Sequence, residues 1–154
     1  MRIAIVASDF NKEVTDGLID GALRCYKSNF GNELDLNFVY KVPGAFEVPS
    51  FTNQLLINCN IKFDAIITLG CVIKGETAHF EYISESVTKQ IMKLSLNKNN
   101  IPVLYGILTT YNYQQALDRI KNDNSNKGYE VMSAAIMMVN QFSNFKKWNI
   151  SQLS

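Results

Sequence analysis

Cysteine is scarce in these 154 residues, and the three present, Cys25, Cys59 and Cys71, are an odd number with no C-x-x-C spacing. That argues against a disulfide framework and against a structural zinc site, and it suits reduced thiols in the cytosol. Net charge is also lacking: the formal balance is +1, with no stripe rich in lysine or arginine. A nucleic-acid binder needs such a footprint, so that class is set aside. Long apolar runs are missing as well. None approaches the roughly 18–20 residues of a membrane span. The opening Met1-Arg2-Ile3-Ala4-Ile5-Val6-Ala7 is too short in its apolar part for a signal peptide, and no small-residue cleavage site follows. What is present is apolar content, 47% of residues, in a length of about one domain.

The order of patterns is informative. Ile3 to Ala7 reads as a strand buried on both faces. Val14, Leu18, Ala22 and Cys25 recur at helical spacing, and Gly31-Asn32 ends that unit. Leu34, Leu36, Phe38 and Tyr40 alternate as a second strand, broken by Pro43-Gly44; Pro49 then suits the first turn of a helix. Ala65 to Leu69 reads as a third strand stopped by Gly70, and a helix from about Thr77 to Leu96 follows. Pro102 to Leu108 makes a fourth strand, Gln114 to Ile120 a short helix, and Tyr129 to Trp148 a long last one. Strand and helix alternate without repeats or a linker. One parallel sheet with helices on both faces is expected, with ligands beyond the carboxyl ends of the strands. The segments to watch are Ser8 to Asn11, Val42 to Glu47, Gly70 to His79, and Thr109 to Asn112.

Three of these hold unusual residues. His79, the only histidine, stands where a loop becomes a helix. It suits proton transfer near neutrality, and equally a surface or capping role. Gly75-Glu76-Thr77 precedes or opens a helix, where free N–H groups favour an anion, although an ordinary glycine turn capped by Thr77 reads the same way. Arg119 and Lys127 bracket the polar turn 122–126 and are either phosphate partners or solvated charges. Phe10, Phe46 and Tyr105 make an aromatic wall for a planar heterocycle or are core, the latter favoured for Tyr105. Glu47 suits sugar hydroxyls or is a surface carboxylate. Cys71 packs as a small hydrophobe.

Taken in order, several segments are similar to those of the lumazine synthases. They are Asp9-Phe10-Asn11; Val42-Pro43-Gly44-Ala45-Phe46-Glu47-Val48-Pro49; the run from Asp64 to Tyr82 with Gly75-Glu76-Thr77-Ala78-His79-Phe80; Pro102-Val103 with Gly106-Ile107-Leu108-Thr109; Gln115-Ala116 with Arg119; and Asn126-Lys127-Gly128 with Glu130. The resemblance implies a single domain over residues 1–154. Its fold would be a three-layer α/β/α sandwich around a four-stranded parallel sheet in flavodoxin-like order 2-1-3-4. It implies condensation of 5-amino-6-ribitylaminouracil with 3,4-dihydroxy-2-butanone 4-phosphate to 6,7-dimethyl-8-ribityllumazine, with neither metal nor organic cofactor. By the same resemblance Phe10 stacks on the pyrimidine, Ala45, Phe46 and Glu47 hold the ribityl chain, and the backbone of Cys71, Val72 and Ile73 reads the pyrimidine edge. Glu76 and Thr77 offer main-chain N–H groups to the phosphate, with Arg119 as its charged partner. His79 moves protons, Tyr105 faces the heterocycle from a neighbouring subunit, and Lys127 and Asn11 are additional contacts.

The chain departs from the family pattern where Asp9 precedes Phe10 in place of the common arginine, and where Glu76 stands at a position often small. Many members also carry about ten residues before the first core strand (a family-level analogy). The resemblance further implies a pentamer with active sites at subunit interfaces. It leaves open pairing of pentamers, closure into an icosahedral shell, and association with riboflavin synthase. Two competing expectations are a flavin- or lumazine-binding module without turnover and a structural cage.

Overall fold

A computed structural model describes residues 1–151, with side chains through Trp148. Four strands, β1 (Ile3–Ser8), β2 (Val39–Val42), β3 (Ala65–Ile73) and β4 (Val103–Thr110), form one sheet in the order β2-β1-β3-β4. Every pairing is parallel. Five α-helices connect and cover them: α1 (Lys12–Phe30), α2 (Val48–Asn58), α3 (His79–Ser95), α4 (Tyr113–Leu117) and α5 (Lys127–Ser151). The expected architecture and strand order are therefore present.

Side chains that alternate across the strands divide the core into two layers. Ile3, Ile5 and Ala7 of β1 join Ala65, Ile67 and Leu69 of β3 against Leu18, Ala22 and Cys25 of α1 and Met132 and Ala135 of α5. Ala4, Val6 and Ile66 point the other way, onto Val48 and Leu56 of α2 and Val87 and Ile91 of α3. The first layer is drawn tight where α1 meets the start of α5. A Cβ on Gly128 would stand 1.8 Å from the Leu18 carbonyl oxygen, and one on Gly21 would overlap the Asn126 amide. Asn126, only 1% exposed, is bonded in four directions. Its Nδ2 donates to the carbonyls of Gly17 and Lys121, and its Oδ1 accepts from the N–H groups of Gly128 and Tyr129. It thus caps α5 and ties that helix to α1.

Several boundaries differ from the sequence reading, each for a local reason. The alternation from Leu34 to Tyr40 is not one strand. Asp35 accepts a hydrogen bond from the Asn37 N–H and caps a 3-10 turn, Leu36–Phe38, so the strand begins at Val39. Leu36, expected to alternate inward, is 67% exposed. Gly70 does not stop β3, which runs on to Ile73. The glycine is in mid-strand because Ser8 Oγ and the Ile107 side chain fill the space where its Cβ would be. Helix α3 starts at His79, so Thr77 lies ahead of its first turn. The short helix ends at Leu117, before Ile120.

Candidate functional site

The carboxyl ends of the strands bring three chain segments to one cavity of about 630 Å³. After β1 come Phe10 and Asn11, and after β2 come Gly44, Ala45, Phe46 and Glu47. From β3 and the start of α3 come Cys71, Val72, Ile73, Gly75, Thr77, His79, Phe80 and Ile83. The cavity lies beside the point where the chain reverses its winding direction, between β1 and β3, where open α/β sheets leave a crevice.

Backbone hydrogen bonds fix this rim. The Asp9 N–H donates to the Val42 carbonyl and the Phe10 N–H to the Pro43 carbonyl, so the first two segments are laced together. Asn11 lies in the left-handed region, φ 56° and ψ 49°, as the N-cap of α1. Its carbonyl accepts from Val14 and Thr15, while its side-chain Nδ2 reaches across to the Cys71 carbonyl at 3.0 Å. One residue thereby turns the chain and latches the loop to β3. Phe10 and Phe46 are left 69% and 60% exposed on the wall. Asp9 stands beside Lys12 and Lys41, which also hold Asp16. The hydrogen bond from Lys12, then that from Lys41, keeps the Asp16 carboxyl below its usual range. The residue in place of the family's arginine is thus embedded in a local charge network.

The floor is a ledge of main chain. β1 pairs with β3 only as far as Ala7 opposite Leu69, whereas β4 follows β3 to Ile73. The Lys74 N–H donates toward β4, and the Cys71 carbonyl faces Asn11 on the β1 side. By alternation the amide groups of Cys71 and Ile73 are directed over the truncated end of β1. The Cys71 side chain packs against Val14 and Ala116. Burial pushes its thiol up to about 11, with the Thr110 hydroxyl opposing in part. It is an inert thiol, as its sequence setting suggested.

His79 is the first residue of α3 and is exposed to the cavity. The Thr77 hydroxyl accepts from its N–H at 3.5 Å. The helix N-terminus thus opens at the cavity, a setting that favours an anion, although the Tyr82 N–H is already bonded to the Ala78 carbonyl and Glu81 brings a carboxylate into the first turn. Glu47 ends the 3-10 turn Ala45–Glu47. Its Oε2 folds back to within 3.1 Å of where a Gly44 Cβ would stand. Lys74 is paired with Glu81 at 2.9 Å and lies 5.9 Å and 5.8 Å from the ring centres of Phe80 and Tyr111.

Of the residues singled out in the sequence, Phe10, Asn11, Ala45, Phe46, Glu47, Cys71, Val72, Ile73, Thr77 and His79 share the cavity. Glu76, Tyr105, Arg119 and Lys127 do not line it. Glu76 is exposed in the preceding loop. Arg119 is exposed after α4, its carbonyl bonded by the Lys127 N–H, and the Lys127 ammonium is paired with Glu130. Tyr105 is not core as favoured above: it is 39% exposed on the edge strand, with its hydroxyl 2.9 Å from Thr88 Oγ1. Phe80 and Ile83, three residues apart on α3, also line the cavity and were not singled out in the sequence. Periodicity tells which residues face inward but not what fills the space opposite. A second groove, about 750 Å³, runs between α2 and α3, is lined by residues such as Asn53, Ser86 and Gln90, and shares Phe46 with the site. Among the described residues no group of three or more histidine, cysteine, aspartate or glutamate side chains could hold a metal ion. No helix among them is long and apolar enough to cross a membrane.

A parallel α/β sheet thus gathers aromatic faces, a carboxylate and a histidine at its carboxyl edge, where sheets of this class bind small molecules. The chain matches the 6,7-dimethyl-8-ribityllumazine synthase family over residues 1–143. It is 41% identical over 145 residues to the 6,7-dimethyl-8-ribityllumazine synthase of Campylobacter hominis, covering 94% of this chain and 90% of the relative. With that of Helicobacter acinonychis it shares 44% over 138 residues, 90% and 86% of the two chains. With that of Chlorobium phaeovibrioides it shares 38% over 141 residues, 92% and 88%. The chain belongs to the 6,7-dimethyl-8-ribityllumazine synthase family, transferases of riboflavin biosynthesis.

Proposed function

We propose that the protein condenses 5-amino-6-ribitylaminouracil with 3,4-dihydroxy-2-butanone 4-phosphate, giving 6,7-dimethyl-8-ribityllumazine, inorganic phosphate and water. The supporting observation is that a single cavity joins His79 to Phe10, Phe46, Glu47 and the end of β3 beyond its pairing with β1. Phe10 stacks on the pyrimidine, and the backbone of Cys71, Val72 and Ile73 reads its edge. Ala45 and Phe46 flank the ribityl chain, whose hydroxyls donate to Glu47. The phosphate lies at the start of α3 on main-chain N–H groups near Glu76 and Thr77, with Arg119 as counter-charge.

The amine attacks the ketone carbonyl, and loss of water leaves an imine. Elimination of phosphate and ring closure by the ribitylamino nitrogen follow, with loss of a second water. Each step moves a proton, and an imidazole such as that of His79 is the side chain suited to that work. The rest is positioning of two substrates side by side. The single chain leaves Tyr105 and Arg119 outside the cavity, so the reading requires subunits to associate, as a pentamer with sites at the interfaces. Exposed Phe10 and Phe46 support such association. The free thiols of Cys25, Cys59 and Cys71 suit the cytoplasm.

The test is to mix the protein with both substrates and follow lumazine absorbance, beside a His79→Ala variant. Product from the wild type and a slowing of about 10²-fold in the variant are expected, since general acid–base catalysis contributes that order while positioning remains. Equal rates would remove His79 from its role. No product from an assembled wild type would leave a binding module.

A further inference from the structure

Thr88 on α3 and Tyr105 on β4 form a pair outside the cavity. Tyr105 lies opposite Thr68 of β3 on the edge strand, and its Oη stands 2.9 Å from Thr88 Oγ1. Thr88 Oγ1 also stands 2.7 Å from the Ser84 carbonyl oxygen, which only accepts. A threonine hydroxyl has one proton. With that proton directed to Ser84, the tyrosine must be the donor to Thr88. The sequence of bonds is thus Tyr105 hydroxyl to Thr88 hydroxyl to Ser84 carbonyl, one turn back along the same helix.

This arrangement turns the only polar group of the tyrosine into its own subunit. The ring is held at its far end by α3 and at its near end by β4. The residue is 39% exposed in the single chain, and the faces of its ring carry no polar group. We propose that Thr88 is a positioning residue: it holds Tyr105 so that the ring presents an apolar face to the heterocycle bound in the adjoining subunit. The proposal rests on the reading above that Tyr105 completes a neighbour's site. A phenol whose hydroxyl lacked this acceptor would turn to find one, in water or on the substrate, and the face would be lost. Thr88 is not a contact of either substrate. Its effect passes through the aromatic ring.

Thr88→Val keeps the β-branch and the volume and deletes the hydroxyl, removing both the acceptor for Tyr105 and the donor to the Ser84 carbonyl. On the assembled protein, it is expected to raise KM for the aminouracil on the order of five-fold, the scale of one lost hydrogen bond. KM for the ketone phosphate stays within about two-fold, since that subsite is remote from the ring. In a Tyr105→Phe background the same substitution should change the aminouracil KM by less than about two-fold, because no hydroxyl remains to be held. A structural role for Thr88 would give equal effects in both backgrounds. An equal effect, or no effect of Thr88→Val on the wild type, overturns the proposal while the condensation itself stands. If Tyr105→Ala leaves the aminouracil KM unchanged, the placement of Tyr105 is wrong and the proposal falls with it. If no variant and no wild type makes product, the failure belongs to the proposed reaction.

Discussion

Asn11 has two tasks, a left-handed backbone and a side-chain bond to the Cys71 carbonyl. Alanine can do neither, whereas glycine can do the first. Asn11→Ala should therefore be less stable than Asn11→Gly by about 1 kcal/mol in urea unfolding, and the opposite order would show that the turn is not what the residue supplies. Asparagine tolerates this conformation more than most residues, but a dipeptide Phe-Asn after a strand does not announce it. The amide's partner lies sixty residues away, so the latch is not legible in sequence. Cys71 is the opposite case. Its apolar setting already indicated a quiet thiol, and burial pushes it up to about 11. Iodoacetamide followed by peptide mass mapping should modify half-buried Cys59 well before Cys71; early labelling of Cys71 would mean that the sheet edge opens.

At the scale of elements, the crossing of α1 and α5 depends on two residues without bulk and one without freedom. Asn126→Ala removes the α5 cap and leaves the Gly17 carbonyl without its side-chain donor, so a loss of about 2–3 kcal/mol is expected in denaturant unfolding. A loss below about 0.5 kcal/mol, the ordinary range for a surface change, would count against that account. Gly128→Ala should be worse, because the obstacle is the Leu18 backbone rather than a movable side chain. The existence and order of the elements were legible because apolar periodicity is set by burial, which the whole fold enforces. Their ends were not. The start of β2 is set by the Asp35 cap, and β3 continues through Gly70 because Ser8 and Ile107 occupy the space beside it. Both facts concern neighbours that a linear reading does not contain.

For the whole molecule, the candidate site was legible where it follows the strands and illegible where the proposed reading calls on another copy. Topology alone directs Phe10, Phe46 and His79 to one edge. Nothing local tells whether Tyr105 or Arg119 serves its own cavity or a neighbour's. Charge is also a property of the whole. Asp16 is held below its usual range first by Lys12 and then by Lys41. A carboxyl depressed in the folded protein contributes stability above its unfolded value, near 3.9, and loses it as pH falls through the folded value. The group is 44% exposed, so the contribution is small and screened by salt. At low ionic strength the melting-temperature gap between wild type and Asp16→Asn should be open at pH 6 and close below about pH 4. A gap unchanged at pH 2 would mean that it arises from packing.

The ledge at the end of β3 has a consequence for mutational tolerance. In the proposed reading its binding groups are peptide amides, which every residue but proline supplies equally. Substitutions at positions 71–73 can change how the strand packs, yet only proline deletes a donor outright. Recognition written in the main chain can drift in its letters without losing its meaning, and the residues exposed to genetic loss are those that hold the ledge in place: Asn11, Gly70 and the pairing with β4.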